Sequence, residues 1–586
     1  MNVQQIGLCL VLLLFVVCNS NASNPTVTVD QGKLIGKRFQ FRAQDTDFDV
    51  DAYLGIRYAE AAVGPLRFKP PVPKEWQGEL NAHEYGYSCP QPIFSAGMPV
   101  ALGKTSEDCL ILNVYVPVPV RPNRAVMLWI HGGAYSIGAG SFAELETYPI
   151  ASLGDVILVS INYRLGVFGF LATGDEVVPG NMGMLDQLEA MKWVQKNIEA
   201  FGGDPNRVTI FGESAGSGSV SLHTLSPLSK GLFSGAIMQS GVANVPWAVL
   251  EDKTHFPKRA FGIGKLVGCE KEDTKQLVDC LVDVPTDDLL NASQRMMEVF
   301  PEDPEMFPFA PVYDDHFISE YPDTLIKQRS FNPSNIMAGY NADEGTTIFV
   351  VLYPDSIEKP HINVTEFDNF MAASKLHLTP LQKDALELVY FDNDMLTEPN
   401  PNYYDPYIRI AQDSTFACST DTYLRGAAEA DVGSVYAYYF NHHPSKSIFN
   451  TPWSGACHAD DLGFFGFHFT PNDFNMTDVE VEMTLKMIQY WTNFAKTGNP
   501  NIGTKNEEAS SPAAKLLEWP QFTLDKRTFK ELSPSMKNIP DPSGISCKLW
   551  NDYFPKLDAA LANKQQECKS HWSKEDKESC SGEAKP

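Results

Sequence analysis

The chain has 586 residues, of which 43% are hydrophobic and 20% charged, a composition that excludes an intrinsically disordered protein. Its 73 acidic residues outnumber its 46 basic residues, and the formal net charge is -27. Because this charge repels nucleic-acid phosphates and anionic membrane surfaces, we predict that neither is a partner.

The N-terminal segment has the outline of a secretory signal peptide. An apolar run from Ile6 to Val17 is followed by small and polar residues through Ser23. No later run of the sequence reaches about 18 uninterrupted apolar residues, and its last residues are too polar for a lipid-anchor signal. We therefore predict that residues 1–23 are a signal peptide and that the protein is secreted and extracellular, without a membrane anchor.

Short apolar runs without alternation recur along the chain and predict strands that are buried on both faces. After the apolar run at residues 156–161, Leu188, Met191 and Val194 recur at helical spacing. Strands that alternate with helices form mostly parallel sheets. The predicted fold class is therefore α/β, with a large, mostly parallel central sheet covered by helices on both faces. The predicted strands are residues 125–130, 156–161, 208–211, 235–238, 335–338 and 435–440.

The domain organisation follows from the absence of internal boundaries in the sequence. We find no internal repeat and no Ser/Gly-rich linker between residue 24 and about residue 560, which predicts one continuous domain over residues 24–563. From Lys564 onward, Lys, Glu, Ser and Cys dominate and the apolar periodicity ends. Residues 564–586 are therefore predicted to form a polar, flexible tail.

A candidate nucleophile follows the third predicted strand, in the sequence Gly212-Glu213-Ser214-Ala215-Gly216. A G-x-S-x-G motif between a strand and a helix is typical of a nucleophile elbow, in which a sharp turn exposes the serine. Side chains two residues before and after the serine would collide in such a turn, which explains the two glycines. We predict that Ser214 is a catalytic nucleophile.

A serine nucleophile needs a base, and the tetrahedral intermediate needs hydrogen-bond donors for its oxyanion. The first predicted strand ends in the loop His131-Gly132-Gly133-Ala134. The amides of such a loop, together with the amide of Ala215, could point at the developing negative charge. The alternative is that the two glycines only allow a tight loop.

The acid and the base of such a site follow the serine in that order along the chain. Asp343 and Glu344 come just after the predicted strand 335–338, and His458 lies further on. These residues alone do not decide between the two carboxylates, and any of the twelve histidines could be a solvated surface group.

Five longer stretches resemble the type-B carboxylesterase and cholinesterase family, over about residues 25–557. They are YLGIRYAEAAVGPLRFKPP (53–71), SEDCLILNVYVP (106–117), FGGDPNRVTIFGESAG (201–216), GYNADEG (339–345) and CKLWNDYFPKL (547–557). The resemblance implies the α/β-hydrolase fold and a serine hydrolase that cleaves carboxylic esters, a small-molecule substrate, without a cofactor or metal. It implies that the catalytic residues are Ser214, Glu344 and His458. It also implies an oxyanion hole formed by the amides of Gly133, Ala134 and Ala215.

The resemblance also implies the state of most cysteines. The implied disulfide bonds are Cys89–Cys109, Cys269–Cys280 and Cys418–Cys547. Cys457 is expected to be a buried free thiol. The tail cysteines Cys568 and Cys580 could pair with each other or bridge two chains into a homodimer. Three glycosylation sequons fit a secreted glycoprotein, and their acceptors are Asn291, Asn363 and Asn475.

The substrate expectation also depends on the resemblance. Choline esterases of the family hold the quaternary ammonium on an indole. Here that position falls at Pro99, after Met98, and Thr346, Thr347 and Ile348 occur where a choline site would have aromatic residues. We therefore expect a neutral, apolar ester with a small acyl group. The expected acyl-pocket residues are Trp247, Phe307 and Phe309.

Three other functions compete with this prediction. A cholinesterase would require a choline site that the residues above do not supply. A non-catalytic adhesion or carrier relative would lack part of the catalytic set, whereas Ser214, Glu344 and His458 are all present. A protein that sequesters esters and turns them over slowly would have the same residues, and only a burst of product followed by little turnover would identify it.

Overall fold

An 11-stranded sheet forms the centre of the computed structural model. The structure describes residues 24–43, 45–92, 104–141, 148–299, 307–353, 356–374, 376, 378–392, 395, 397–447, 451–465, 476–503 and 515–571. The strands are β1 (Thr26–Val29), β2 (Gly32–Ile35), β3 (Lys37–Ala43), β4 (Thr46–Arg57), β5 (Glu79–Asn81), β6 (Ile111–Pro117), β7 (Arg124–Ile130), β8 (Ile157–Ile161), β9 (Gly203–Glu213), β10 (Gly235–Gln239), β11 (Asn335–Asn341), β12 (Val435–Phe440), β13 (Thr528–Leu532) and β14 (Asn538–Pro540).

The strand order in the large sheet is β14-β13-β12-β11-β10-β9-β7-β8-β6-β4-β3. All neighbouring pairs from β13 through β8 are parallel. The pairs at the two ends, β13 with β14 and β8 through β3, are antiparallel. The predicted mostly parallel sheet is therefore confirmed. A separate small sheet contains β1, β2 and β5.

Helices cover both faces of the sheet. They are α1 (Pro149–Gly154), α2 (Gly166–Phe170), α3 (Met182–Asn197), α4 (Ala215–Leu225), α5 (His255–Leu266), α6 (Thr274–Val282), α7 (Thr286–Gln294), α8 (Met296–Val299), α9 (Pro322–Lys327), α10 (Thr347–Leu352), α11 (Val364–Ala373), α12 (Pro380–Tyr390), α13 (Tyr404–Gln412), α14 (Cys418–Ala430), α15 (Asp478–Thr497), α16 (Gly544–Lys548) and α17 (Phe554–His571). In the part of the chain that the structure describes, no helix combines the length and hydropathy needed to cross a bilayer.

Strand β7 explains why the strand sequences show no polar alternation. Successive side chains of a strand point to opposite faces of the sheet. Val126 and Leu128 lie in one hydrophobic core, and Met127 between them lies in the core on the other face. Because both faces are buried, every position from Ala125 to Ile130 is apolar.

Helix α15 shows how sequence signals set the ends of a helix beside the sheet. Thr477 and Glu480 form a capping box at its start, and Gly498, with φ 73°, ends it. Between these caps, residues such as Trp491 and Phe494 lie in one of the two cores. The helix therefore has a fixed position against the centre of the sheet.

Three disulfide bonds join Cys89 to Cys109, Cys269 to Cys280 and Cys418 to Cys547. Among the described residues, Cys457 is a buried free thiol. Helix α17 continues past residue 564, where the sequence predicts that the polar tail begins. The predicted signal peptide and Cys580 lie outside the described residues.

Candidate active site

Ser214 lies at a sharp turn between the end of β9 and the start of α4. Its backbone has φ 56° and ψ -124°, values that L-residues rarely adopt and that are found at strained functional positions. Its N–H donates to the carbonyl oxygen of Gln239, 2.9 Å away, and its carbonyl accepts from the N–H of Gly218, also at 2.9 Å. The side chain of Ser214 is partly exposed, whereas its neighbours in the turn are buried.

The glycines on either side of Ser214 are required by the close approach of β7. A Cβ atom built on Gly212 would lie 2.5 Å from the carbonyl oxygen of Ile130, and one built on Gly216 would collide with the same oxygen. Real Cβ atoms do not come this close to other heavy atoms. The structure therefore confirms that side chains at these two positions would collide with other atoms. The group that they would meet is the end of β7.

The glycine-rich loop after β7 lies directly beside Ser214. A Cβ atom built on Gly132 would be 2.6 Å from the carbonyl oxygen of Glu213 and 3.1 Å from the Cβ atom of Ser214. Gly133 and Ala134 have φ values of 105° and 55°, so the backbone turns sharply at this point. The loop is thus packed against the turn that carries Ser214.

His458 contacts one of the two carboxylates that the sequence leaves open. Its Nδ1 atom is 2.5 Å from Oε2 of Glu344, whose side chain is fully buried, whereas 14% of the imidazole is exposed. The other Glu344 oxygen accepts from the N–H of Asn341 at 2.8 Å. Asp343 instead accepts from the N–H of Ala456 at 2.9 Å. Glu344 is therefore the carboxylate that can orient this imidazole.

The other imidazole nitrogen faces Glu213, the residue before Ser214. Nε2 of His458 is 3.1 Å from Oε1 of Glu213, which is 6% exposed. The two groups are not oriented as a hydrogen bond, so Oε1 has no hydrogen-bond partner in the described structure. This contact is therefore electrostatic, and it places Nε2 beside the nucleophile elbow.

A third buried carboxylate, Asp461, is held behind the histidine. Its Oδ2 atom accepts from Nε2 of Gln239 at 2.8 Å. The Gln239 side chain in turn accepts from the indole N–H of Trp491 at 3.2 Å. Helix α15, which carries Trp491, is thus linked by hydrogen bonds to the environment of His458.

The three carboxylates and the histidine change one another's protonation. Burial raises the pKa of Glu213 to about 8 and the pKa of Asp461 to about 6. Burial by itself would lower the pKa of His458, but the charges of Glu213 and Glu344 outweigh it and raise the pKa to about 9. The cluster therefore favours the protonated imidazole that a general base becomes during reaction.

An aromatic wall runs alongside the site. The indole of Trp247 is 7% exposed, and its ring centroid is 6.5 Å from that of Phe307. Phe309 is also buried. Phe416, which was not predicted from the sequence, has its ring centroid 5.8 Å from that of Trp247 and 5.1 Å from that of the His458 imidazole. The sequence near Cys418 does not indicate the contact between Phe416 and His458, because this contact forms only in the folded protein.

One group of potential metal ligands occurs among the described residues, and it contains Asp413, Cys418 and Cys547. Both sulfur atoms form a disulfide bond with each other, so neither is a thiolate that could ligate a metal. The predicted glycosylation acceptors Asn291 and Asn363 are exposed. Asn475, Met98 and Pro99 lie outside the described residues.

Comparison with known proteins is consistent with this site. The sequence model of the carboxylesterase family matches residues 23–550. The chain is 34% identical over 549 residues to the acetylcholinesterase of Bungarus fasciatus, covering 90% of this chain and 87% of that protein. It is 35% identical over 523 residues to the cholinesterase of Mus musculus, covering 87% and 84%. It is 36% identical over 546 residues to acetylcholinesterase 1 of Caenorhabditis elegans, covering 87% and 86%.

The chain therefore belongs to the carboxylesterase family, and its sheet and helices form the α/β-hydrolase fold. The resemblance noted in the sequence is confirmed. Membership of this family makes the protein a serine carboxylic ester hydrolase.

Proposed function

We propose that the protein is a secreted carboxylesterase in which Ser214 is the nucleophile, His458 the general base and Glu344 the residue that orients the base. The observation that carries this proposal is the position of His458. One of its nitrogens contacts the buried carboxylate of Glu344, and the other lies beside the elbow that presents Ser214. This is the arrangement that activates a serine hydroxyl.

In the first half of the reaction, Oγ of Ser214 attacks the ester carbonyl carbon while Nε2 of His458 takes the hydroxyl proton. The tetrahedral intermediate collapses, the bond from the carbonyl carbon to the alcohol oxygen breaks, and the imidazolium gives its proton to the departing alcohol. In the second half, a water molecule attacks the acyl group on Ser214 by the same route. The products are an alcohol and a carboxylic acid, and the enzyme is regenerated.

The amides of Gly133, Ala134 and Ala215 are the proposed oxyanion hole. The loop of Gly133 and Ala134 lies against the nucleophile elbow, since a side chain on the neighbouring Gly132 would meet Ser214. Ala215 is the first residue of α4, so its N–H belongs to the positive end of that helix. Both features favour negative charge at the carbonyl oxygen of a bound ester.

The proposed substrate is a neutral ester with a small acyl group. The hydroxyls of Thr346 and Thr347 donate to the backbone oxygens of Asp343 and Glu344, each at 2.7 Å. Because both residues are threonines, neither offers an aromatic face to a quaternary ammonium group. The rings of Trp247, Phe307 and Phe416 supply an apolar wall for the acyl group.

A cholinesterase is the second candidate, because three relatives with about 35% identity carry that activity in their names. The buried carboxylates of Glu213, Glu344 and Asp461 could also attract a cation towards the site.

Secretion is proposed from the predicted signal peptide and is compatible with three disulfide bonds, which form in oxidising compartments.

The test is hydrolysis of p-nitrophenyl acetate, butyrate and octanoate beside acetylthiocholine, with the wild type and Ser214→Ala in parallel. We expect turnover of the neutral esters and a loss of about a million-fold in Ser214→Ala. Ser217→Ala, in the first turn of the same helix, is the matched control and should keep most of the activity. A strong preference for acetylthiocholine would replace the proposed substrate by a choline ester. Equal activity in wild type and Ser214→Ala would refute the proposed nucleophile.

A further inference from the structure

A cavity of about 440 Å³ lies between the end of α5 and helix α7, and we call it the α7 cavity. Clefts that hold small ligands have volumes of about 300–1,000 Å³, so this one has room for one or two sugar rings. One of the side chains that line it is that of Asn291, the acceptor of a glycosylation sequon. A sugar attached to this amide therefore begins at the cavity.

One part of the lining is aliphatic, and it contains Leu266, Val267, Val284 and Ala292. The first three of these side chains are only partly buried, so some of their apolar surface is open to solvent. Covering apolar surface is favourable by about 25 cal/mol per Å². The C–H groups on one face of a pyranose ring are a surface of this kind. The aliphatic wall thus favours a ligand that has an apolar face beside its polar groups.

The polar part of the lining comes from the same side of α7 as Asn291. Asp288 precedes Asn291 by three residues and Arg295 follows it by four, and residues at these spacings are neighbours on a helix. The carboxylate of Asp288 accepts hydrogen bonds and the guanidinium of Arg295 donates them. Arg295 is also held by an ion pair with Glu298 at 2.6 Å. Hydroxyl and acetamido groups of a sugar can both donate and accept, so they match this pair of side chains.

The two sides of the α7 cavity are fixed to each other. The Cys269–Cys280 disulfide joins the segment after α5 to helix α6, and only residues 283–285 separate α6 from α7. Helix α7 is itself anchored in the core by Leu289, which is fully buried. A cavity that is already formed binds a ligand at a smaller cost in conformational entropy than one that must be assembled.

We propose that the α7 cavity binds the first sugar of an oligosaccharide that is attached to Asn291. In the attachment, Nδ2 of Asn291 forms a bond to C1 of N-acetylglucosamine and releases one proton to water. The bond from C1 to the pyrophosphate of a lipid-linked oligosaccharide, which the secreting cell supplies, breaks. In the folded protein, the apolar face of the sugar covers Val267 and Val284, and its polar groups meet Asp288 and Arg295. The proposal is independent of ester hydrolysis.

The test measures how fast peptide-N-glycosidase removes each sugar chain from the full protein secreted by a eukaryotic cell line. This enzyme cleaves the bond between Asn and the first sugar, and mass spectrometry of the peptides follows each acceptor separately. Asn363 is the internal control, because it is exposed and does not line the α7 cavity. Relative to the rates in denatured protein, release from native Asn291 should be at least about tenfold slower than release from native Asn363. Burial of about 60 Å² of apolar sugar surface suffices for this ratio.

The double variant Val267→Ser/Val284→Ser makes the wall polar without touching the sequon. It should raise the rate of release at Asn291 to nearly that at Asn363. Lys265→Ser is the matched control, because Lys265 is exposed at the end of the same helix and does not line the cavity. Its rate at Asn291 should equal that of the wild type. An unchanged circular dichroism spectrum and melting temperature show that each variant is folded.

Three results would overturn the proposal. The first is a wild-type protein whose Asn291 peptide carries no sugar, whatever its esterase activity. The second is an equal rate of release at Asn291 and Asn363 in the native protein, since the first sugar would then be no more protected than an exposed one. The third is slow release that persists in the double variant, because a different part of the protein would then protect the bond.

Discussion

Glu213→Gln tests whether the charge beside His458 sets the pH range of the enzyme. The substitution keeps the size of the side chain and removes its negative charge. With opposite charges 3.1 Å apart, the Coulomb energy is about 1.3 kcal/mol at the dielectric constant of water and about 5 kcal/mol at an effective value of 20. At about 1.4 kcal/mol per pKa unit, the charge raises the pKa of His458 by about one to four units.

The lower part of this range is the expected one. The pKa of Glu213 is itself raised to about 8, so at neutral pH its charge is only partly present. A general base works in its neutral form, and a raised pKa therefore moves the acidic limb of the activity profile to higher pH. Removing the charge should lower the pKa of His458 and move that limb to lower pH, by about one unit.

The assay is kcat/KM for p-nitrophenyl acetate between about pH 5 and about pH 9, because this parameter reports ionisations of the free enzyme. Ser214→Ala serves as the blank for spontaneous hydrolysis. Glu298→Gln, which changes an exposed glutamate that pairs with Arg295, should leave the profile unchanged. An acidic limb that stays in place or moves to higher pH in Glu213→Gln would refute the electrostatic reasoning.

Two further predictions concern stability. Arg164 and Asp186 form a buried ion pair at 2.7 Å, with 3% and 0% of their side chains exposed, so Arg164→Met should lower the free energy of unfolding by about 3–5 kcal/mol in urea titrations. The double variant Arg164→Met/Asp186→Leu should regain most of this loss, and no recovery would mean that the pair does more than neutralise a buried charge. Replacing Cys418 and Cys547 together by Ala removes a disulfide that spans 129 residues and should cost about 2–5 kcal/mol. An unchanged urea midpoint would show that this disulfide does not stabilise the protein by restricting the unfolded chain.

The central sheet could be predicted from the sequence because its strands are buried on both faces. Runs such as 125–130 and 435–440 need apolar side chains at every position, and the structure has strands there. The antiparallel strand β3, Lys37–Ala43, was missed, because it alternates between exposed and buried residues at the edge of the sheet and is rich in charge. Its pairing with β4 depends on a neighbour rather than on a local apolar run.

The candidate site also has parts that the local sequence predicts and parts that it does not. The turn at Ser214 has a local signature, because side chains in place of its two glycines would collide with nearby backbone atoms. The choice between Asp343 and Glu344 has none, because it depends on which carboxylate points towards a histidine more than a hundred residues away. Phe416 is a similar case, because its contact with His458 depends on a π-helical turn that the amino-acid pattern does not predict.

The parallel centre of the sheet also makes enzymatic activity a measure of complete folding. Ser214 follows β9, Glu344 follows β11 and His458 comes after β12, and the last two residues are 114 positions apart in the chain. None of these side chains can meet until β9, β10, β11 and β12 have paired, and such long-range pairing is a slow part of folding. A refolding sample should therefore regain its helical circular dichroism before it regains esterase activity, and the delay between the two signals would time the closure of the sheet.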